Sequence, residues 1–342
     1  MLVAPMAGFA GVDLAIAAGR AGTLAPIPCA LLSIDQARDQ VAQVRAAGAG
    51  PVNLNFFVHH MPETVDDGAW RETLAPYYAQ WGVSPPDTPP VLRLPFSSAS
   101  ADLVEEVRPE VVSFHFGLPA PELQARVKAT GAVIVASATT PHEARWLAER
   151  GVDAVIAQGA EAGGHASHFL DGGPATHMGL FALLPQIVDA VDVPVIAAGG
   201  ISDARGVAAA FLLGASAVQI GTAFLTGPES LVTPMHRAAI AGEGAERTMF
   251  TTLFSGRAAR GVENRLMRDL GPMHPSVPPF PYSSPAIAPL KAAAEAQGDT
   301  SFSSLWSGQA GRLARPMSAG ERIAQLVTET EKLLSEAAQE RI

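Results

Sequence analysis

The sequence predicts an α/β fold of the TIM (β/α)8 barrel type, and two patterns support this prediction. Short apolar runs rich in β-branched residues recur, and a longer segment with helical spacing follows each, which is typical of parallel strands joined by helices. Eight such runs occur, the number that closes a barrel of this class. With 342 residues, 48% hydrophobic and 16% charged, the chain can form one large core.

The predicted strands are followed by recognisable helix starts. Ser33 and Gln36 have the spacing of a capping box, and Thr140 precedes Pro141 and Glu143 in the same way. These caps set the direction from strand to helix. The eight predicted strands are, in chain order, residues 2–6, 22–27, 52–57, 111–116, 132–137, 154–159, 193–199 and 217–224.

Two segments depart from this alternation. Residues 61–98 are rich in Trp and Tyr and contain the proline-rich run 85–90, so we expect an insertion after the third strand. Residues 271–289 hold seven prolines, so we expect no regular helix there but a segment that lies over the surface.

One more helix is predicted near the end of the chain. Ser318 and Glu321 have capping-box spacing. An apolar stripe follows on one helix face, formed by Ile323, Leu326, Val327, Leu333 and Leu334. We therefore expect a barrel over residues 1–270 and an extension over 271–342 whose helix packs on the barrel.

Charge and cysteine content exclude several classes of protein. The net charge of −10 is spread without a basic stripe, so we expect no nucleic-acid partner. The single cysteine, Cys29, excludes an internal disulfide and a cysteine-based zinc cluster. We find no signal-peptide pattern and no apolar run long enough for a membrane span, so we expect a cytoplasmic protein without a membrane partner.

The turns after the seventh and eighth predicted strands favour phosphate binding. Gly199 and Gly200 allow close approach of backbone to a ligand, and a helix opens near Ser202. The eighth strand contains Gln219, Ile220, Gly221 and Thr222, which add an amide, a small residue and a hydroxyl. A glycine pair alone is equally compatible with a tight turn. Both turns together favour phosphate, which barrels commonly bind between these strands.

A glycine-rich loop after the sixth predicted strand, residues 158–169, brings His165 to the barrel mouth. Histidine is well suited to move a proton near neutral pH. An isolated loop histidine is more often merely exposed, but the preceding Gly163 and Gly164 favour a catalytic role. His168 lies three residues on, yet no carboxylate completes a ligand set, so we expect no metal.

Other polar residues lie at the predicted ends of strands. Asn55 and His59 lie at or just after the end of the third strand, His115 lies at the end of the fourth, and Ser137 closes the fifth. These residues would face the mouth of the barrel if the strand register is right. Hydrogen bonding to local backbone explains each of them equally well.

The motifs together resemble those of the nitronate monooxygenases, formerly called 2-nitropropane dioxygenases. The resemblance spans nearly the whole chain, and its glycine–histidine loop joined to the two glycine turns is highly specific. The residues that carry it are 4–8 (APMAG), 53–59 (NLNFFVH), 112–119, 157–165 (AQGAEAGGH), 197–225, 255–261 (SGRAARG) and 304–309 (SLWSGQ).

This resemblance implies an FMN-binding barrel that oxidises alkyl nitronates, with nitroalkanes as a second candidate substrate class, by oxygen to a carbonyl compound and nitrite. It implies that His165 is the catalytic base. The implied flavin contacts are Pro5, Met6 and Ala7 at the ring, Asn55, Gln158 and Gly163 along the ring and ribityl chain, and Gly199, Gly200, Gln219, Ile220, Gly221 and Thr222 at the phosphate.

The substrate pocket is less well defined by the resemblance. We expect His115, Ser137 and Tyr282 to line it, and Lys291 is a further residue of a type that some members place there. The chain also departs from the family in having Ser167 where glycine is common, so the backbone beyond His165 is expected to turn differently.

Two alternatives remain open from the sequence. A flavin-dependent enoyl-(acyl carrier protein) reductase shares the barrel and a similar loop but needs a surface for NAD(P)H, for which Arg257 and Arg260 are the only candidates. A flavin-binding sensor without turnover would use His165 only as a ring contact. The natural substrate and the oligomeric state stay undetermined.

Overall fold

A computed structural model describes residues 1–87, 92–170 and 173–339. The proline-rich run 85–90 therefore lies partly outside the described residues. The strands are, in chain order, β1 (Leu2–Val3), β2 (Ala25–Pro28), β3 (Val52–Phe57), β4 (Val111–His115), β5 (Val133–Ala138), β6 (Ala154–Gln158), β7 (Gly164–His165), β8 (Val195–Ala198), β9 (Ala217–Ile220), β10 (Thr248–Thr251) and β11 (Ala259–Val262).

Eight of these strands form one curved sheet in the order β1-β9-β8-β6-β5-β4-β3-β2. Every neighbouring pair in this sheet is parallel. The two terminal strands of the order, β1 and β2, come from the start of the chain, so the sheet makes a nearly closed barrel. This confirms the predicted TIM-barrel fold.

Helices surround this sheet, and their predicted caps are present. Ser33 accepts a hydrogen bond from Gln36 N in a full capping box, and Thr140 accepts one from Glu143 N. The helices are α1 (Val12–Arg20), α2 (Ile34–Ala46), α3 (Gly68–Trp81), α4 (Ser98–Val107), α5 (Pro121–Ala129), α6 (Pro141–Glu149), α7 (Leu180–Val188), α8 (Ala204–Leu212), α9 (Thr222–Leu225), α10 (Pro234–Ala241), α11 (Arg265–Leu270), α12 (Ser284–Ala296) and α13 (Ala319–Gln339).

Alternation along the strands separates two apolar layers. Ile134 and Ala136 of β5 pack outward against the helices, whereas Val135 packs inside the barrel. The same period of two places Ser137 inward, one step further along the strand. Polar side chains at the carboxyl ends of several strands therefore converge on the barrel mouth.

One predicted boundary near the mouth was wrong, and one was close. The eighth predicted strand, 217–224, ends at Ile220, because Gly221 turns the chain and Thr222–Leu225 form the short helix α9. The helix expected near Ser202 begins at Ala204, where Asp203 is the N-cap and accepts hydrogen bonds from Arg205 N and Gly206 N.

A second apolar cluster lies beside the barrel and joins distant parts of the chain. The inserted helix α3 packs against α12, and Tyr78 Oη donates to Ala286 O at 2.6 Å. Leu253 and Leu266 belong to the same cluster. The cluster thus contains residues from both sides of position 270, where the sequence suggested that the barrel ends.

The proline-rich segment 271–289 contains the start of a helix, contrary to the expectation. Pro285 lies in the first turn of α12, where the backbone N–H has no partner within the helix. Pro289 lies inside the helix and removes one hydrogen bond. Burial of Ile287 and Leu290 in the second cluster offsets this loss.

The last helix, α13, packs against α1 and α8 on the outside of the barrel. Ser318 and Glu321 exchange the predicted capping hydrogen bonds. Ile323 and Leu326 are buried, whereas Val327 is exposed, so the apolar stripe is narrower than expected. None of the helices in the described ranges combines the length and apolar character needed to cross a bilayer.

Candidate active site

One cavity opens at the carboxyl ends of the barrel strands. The inward side chains of Asn55, Ser137, Gln158 and Gln219 all reach it, as strand alternation requires. The predicted site residues that line it are Pro5, Met6, Ala7, Asn55, His115, Ser137, Gln158, Gly163, His165, Gly199, Gly200, Gln219, Gly221 and Thr222.

Two predicted site residues, and the further candidate Lys291, do not line this cavity. Ile220 follows Gln219 on β9, so alternation turns its side chain outward into the core between sheet and helices. Tyr282 lies elsewhere, with its hydroxyl 3.5 Å from Pro62 O. Lys291 is on α12 and lies 3.9 Å from Glu295, also away from the cavity.

The two glycines after β8 are required by close backbone packing. Gly199 and Gly200 have φ angles of +109° and +70°, a region that disfavours residues with a Cβ. A Cβ on Gly199 would lie 3.0 Å from Ala162 N, and one on Gly200 would lie 3.2 Å from Glu161 Cβ. The missing side chains thus allow two loops to pack, while both glycines still border the cavity.

A phosphate group fits the polar groups at this end of the cavity. Thr222 Oγ1 accepts a hydrogen bond from Gly308 N at 2.9 Å, and the hydroxyl proton has no acceptor among the described residues. Ser202 also lines the cavity here. The amides of α8 are less suitable than expected, because Asp203 already occupies that helix start.

His165 is held by a small sheet above the barrel. Its strand β7 pairs antiparallel with β11, opposite Ala259, and β11 pairs with β10. The carbonyl oxygen of His165 accepts hydrogen bonds from His115 Nε2 at 3.1 Å and Gln158 Nε2 at 3.0 Å. Because a carbonyl only accepts, His115 carries a proton on Nε2.

The electrostatic environment keeps these histidines neutral. Burial lowers the pKa of His165 well below its usual value, and the nearby Arg93, His115 and Arg257 lower it further. Burial, with a smaller contribution from Arg257, lowers the pKa of His115 to about 3. Both imidazoles are therefore uncharged at neutral pH.

The cavity has a positive electrostatic bias. Arg93 lines it, and among the described residues no Asp or Glu does so. Burial lowers the pKa of the nearby Arg257 guanidinium to about 10, so this group also stays charged at neutral pH. The arrangement favours anionic ligands over cationic ones.

Aromatic side chains surround the imidazole of His165. The rings of Phe57, Phe280 and Trp306 have centroids 5.9, 5.4 and 5.8 Å from that of His165. The ring of Phe116 is 6.0 Å away and lies under the Arg257 guanidinium at 3.9 Å. This enclosure accounts for the desolvation of His165.

Ser167 has a structural role beneath the cavity. Its backbone N donates to Gln158 Oε1 at 2.7 Å, and its hydroxyl oxygen accepts from Phe116 N and lies 3.3 Å from Ser137 O. Phe116 has a φ of +76°, a strained value for a residue with a side chain. The serine thus ties three strand ends together at the point where the sequence departs from the family pattern.

The family model for Nitronate monooxygenase matches residues 1–329 of this chain. The chain belongs to this family. Its members are flavin-dependent oxidoreductases, so the chain is an enzyme of this class.

Individual relatives agree with the family assignment. The nitronate monooxygenase of Paraburkholderia phytofirmans is 38% identical over 99% of this chain and 94% of its own length. The crystal structure of a nitroalkane oxidase from Streptomyces ansochromogenes is 36% identical, with a TM-score of 0.88 over 98% of this chain and 96% of that one. The structure of a point mutant of FabK from Thermotoga maritima is 25% identical, with a TM-score of 0.74 over 99% of this chain and 94% of that one.

Several residues at this cavity were missed from the sequence. Arg93, Phe57 and Trp306 line the cavity, and Ser255 contacts His165. Phe57, Trp306 and Ser255 stand inside motifs that carried the resemblance, which was the available signal. Arg93 follows the proline-rich run 85–90 and had no such signal.

Proposed function

We propose that this chain is an FMN-dependent enzyme that oxidises alkyl nitronates with oxygen to a carbonyl compound and nitrite, with nitroalkanes as additional substrates. The main supporting observation is that one cavity joins His165, the cation Arg93 and the phosphate-end turns, with no carboxylate among its described lining residues. A nitronate and a flavin phosphate are both anions, and such a cavity favours them.

We propose that the flavin lies along this cavity from Thr222 to His165. Thr222, Ser202 and the Gly199–Gly200 turn would hold the phosphate, and Met6 would contact the ring. When bound, the flavin supplies the electron acceptor for the substrate. Met6 Sδ would lie 3.5 Å from a Cβ at Gly221, so the first and last barrel strands meet at this end of the cavity.

His165 would act as the base for neutral nitroalkanes. Its lowered pKa keeps the imidazole unprotonated and able to accept the proton from the carbon next to the nitro group. The electron pair of the broken C–H bond remains on the product, a nitronate. The negative charge of this nitronate would be stabilised by the protonated His165 and by Arg93.

A substrate supplied already as the nitronate needs no such base. The same groups then bind the anion and orient it, while Phe57, Phe280 and Trp306 limit access of water to His165. The exclusion of water lowers the effective dielectric constant around the anion, which strengthens its attraction to Arg93. Nitronate oxidation should therefore depend on His165 less than nitroalkane oxidation does.

The enoyl reductase alternative has weaker support. The solved structure at 36% identity is a nitroalkane oxidase, and Arg257 and Arg260 are engaged in internal contacts instead of forming an open surface. Arg257 Nη2 donates to His168 O, and Arg260 Nε donates to Ala160 O at 2.7 Å. Neither side chain is available to an NAD(P)H phosphate in this arrangement.

The proposal is tested with purified protein. We expect it to be yellow, to release FMN and not FAD by mass spectrometry after denaturation, and to form nitrite from an alkyl nitronate with consumption of oxygen. Rapid anaerobic bleaching of the flavin by NADH or NADPH, turnover of an enoyl thioester and no reaction with nitronates would establish the reductase instead. A protein that binds FMN but carries out neither reaction would be a sensor.

A further inference from the structure

Ser255 opens the SGRAARG motif, 255–261, and its side chain is buried beside the cavity. The turn that carries it is fixed on both sides. Gly256 N donates to Thr252 O at 2.8 Å, and a Cβ on Gly256 would lie only 2.4 Å from Pro278 O. The hydroxyl of Ser255 therefore has a defined position relative to β7.

Three groups surround the Ser255 hydroxyl oxygen. His165 Nε2 is 2.9 Å away, Arg257 O is 3.1 Å away and Arg257 N is 3.4 Å away. A hydroxyl offers one proton and two lone pairs. The carbonyl of Arg257 can only accept and its backbone N–H can only donate, so these two partners restrict the choice for His165.

One assignment satisfies all three partners. The hydroxyl proton of Ser255 goes to Arg257 O, and the two lone pairs accept from Arg257 N–H and from His165 Nε2–H. In the opposite assignment the proton goes to His165 Nε2, and Arg257 O loses its hydrogen bond from Ser255. The opposite assignment is therefore disfavoured, because it leaves a carbonyl in a largely enclosed turn without this donor.

The other ring nitrogen of His165 is free to react. His59, His168 and His177 each have a buried Nδ1 without a partner among the described residues. Nδ1 of His165 also makes no hydrogen bond with any described residue, but it is not fully buried as those three atoms are. Because the imidazole lines the cavity, this nitrogen is accessible from it.

We propose that Ser255 is a positioning residue that holds His165 as the Nε2–H tautomer, so that Nδ1 is the atom that takes the substrate proton. The inference rests on the proposed function, in which His165 is the base. In the other tautomer Nδ1 carries the proton, and the accepting nitrogen points at Ser255 instead of the substrate.

The tautomer is measured by ¹⁵N NMR of protein labelled at histidine, with and without FMN. The signals of His165 are assigned by their loss in His165→Asn. At pH 7.5 we expect a protonated Nε2 and an unprotonated Nδ1 in the wild type, and a mixture of tautomers in Ser255→Ala. A wild-type Nδ1–H tautomer, or an unchanged Nε2–H tautomer in Ser255→Ala, would overturn the inference.

A matched control separates this role from loss of local hydrogen bonding. Thr251 Oγ1 accepts from Leu253 N at 3.1 Å and donates to Pro272 O at 2.9 Å in the same turn, without touching His165. Thr251→Val should leave the His165 tautomer and the activity ratio unchanged. Ser255→Ala should lower kcat/KM for a nitroalkane about tenfold or more, and lower it much less for the corresponding nitronate.

The experiments can refute the role of His165 and the role of Ser255 independently. If His165→Asn retains full nitroalkane turnover, the proposed base is wrong, whatever the tautomer. If His165→Asn abolishes that turnover but Ser255→Ala keeps both the tautomer and the rate, the proposed function stands and the role of Ser255 falls.

Discussion

Gln158 holds the backbone of His165 through its side-chain amide. Gln158 Nε2 donates to His165 O at 3.0 Å, while Gln158 Oε1 accepts from Ser167 N at 2.7 Å. The two bonds clamp the loop on either side of Ala166. The amide at the end of β6 thus positions the proposed base, in addition to bordering the cavity.

Gln158→Glu should break this clamp with almost no change in side-chain volume. A carboxylate still accepts from Ser167 N but cannot donate to His165 O, and the two oxygens repel each other. A displacement of about 1 Å at a reacting group can cost about 10²-fold in rate. We expect a loss of that order in kcat/KM for nitroalkanes. Gln124→Glu, on the exposed face of α5, is the control, and wild-type activity in Gln158→Glu would contradict this role.

His165→Asn should separate the two substrate classes. Removal of a positioned base typically lowers the rate of a proton-transfer step by about 10²–10⁴-fold. We expect a loss in this range for nitroalkanes, a smaller loss for nitronates and retention of FMN. Nitrite formation from both forms of the same nitro compound gives the comparison, and equal losses for both would argue against a base.

The pH profile should report the lowered pKa of His165. A base is active when unprotonated, and burial moves its protonation to lower pH than the usual value near 6.5. The kcat/KM for a nitroalkane should therefore stay level as the pH falls from 8 to 6. A decrease with a midpoint near 6.5 would indicate an ordinary, solvated histidine. Measurements with the nitronate correct for effects on binding.

Thr222→Val should weaken the binding of FMN more than that of riboflavin. The variant keeps the side-chain shape but loses the hydroxyl that we place at the phosphate, and riboflavin has no phosphate. A hydrogen bond to a charged group contributes about 1.5–3 kcal/mol, which is about tenfold or more in affinity. Fluorescence titration of the apoprotein measures both dissociation constants. Thr222→Ser should retain the preference, and an undiminished preference in Thr222→Val would place the phosphate elsewhere.

The stability of the protein should decrease in mild acid. Six of its nine histidines have lowered pKa values in the folded state, mainly through burial. Between about pH 6.5 and their folded pKa values, these histidines bind more protons in the unfolded chain than in the folded protein. Their contribution to the free energy of unfolding is therefore complete above about pH 6.5 and is lost as the pH falls below it. We expect Tm to fall from pH 7 to 5. His115→Asn should reduce the uptake of protons on unfolding by about one proton. An unchanged slope of the free energy of unfolding against pH in this variant would contradict burial of a neutral His115.

The barrel itself could be read from the sequence. Residues 52–57 were predicted as a strand and form β3 with the same bounds, because the run VNLNFF is rich in strand-forming apolar residues and begins directly after Gly-Pro. Asn55 and Ser137 were expected at the mouth because they lie near the ends of predicted strands, and Gln158 because of the family resemblance. These features depend on the period of the backbone and on neighbouring residues.

The small sheet and the second apolar cluster could not be predicted in this way. Strands β7, β10 and β11 have two to four residues each and form only by pairing with one another. Trp70 Nε1 meets Ser283 O across 213 positions of sequence. Such short or distant partners leave no periodic signal in the chain.

The sequence by itself determined the barrel, the glycine turns at its mouth and the place of His165 in the loop after the sixth strand, because local spacing specifies strands, turns and their ends. Tertiary structure decided that Arg93 enters the cavity, that Tyr282 does not, and that Ser255 meets His165 across 90 positions. These outcomes depend on how loops pack above the barrel, and a hydrogen bond forms only where that packing brings a donor within about 3 Å of its acceptor.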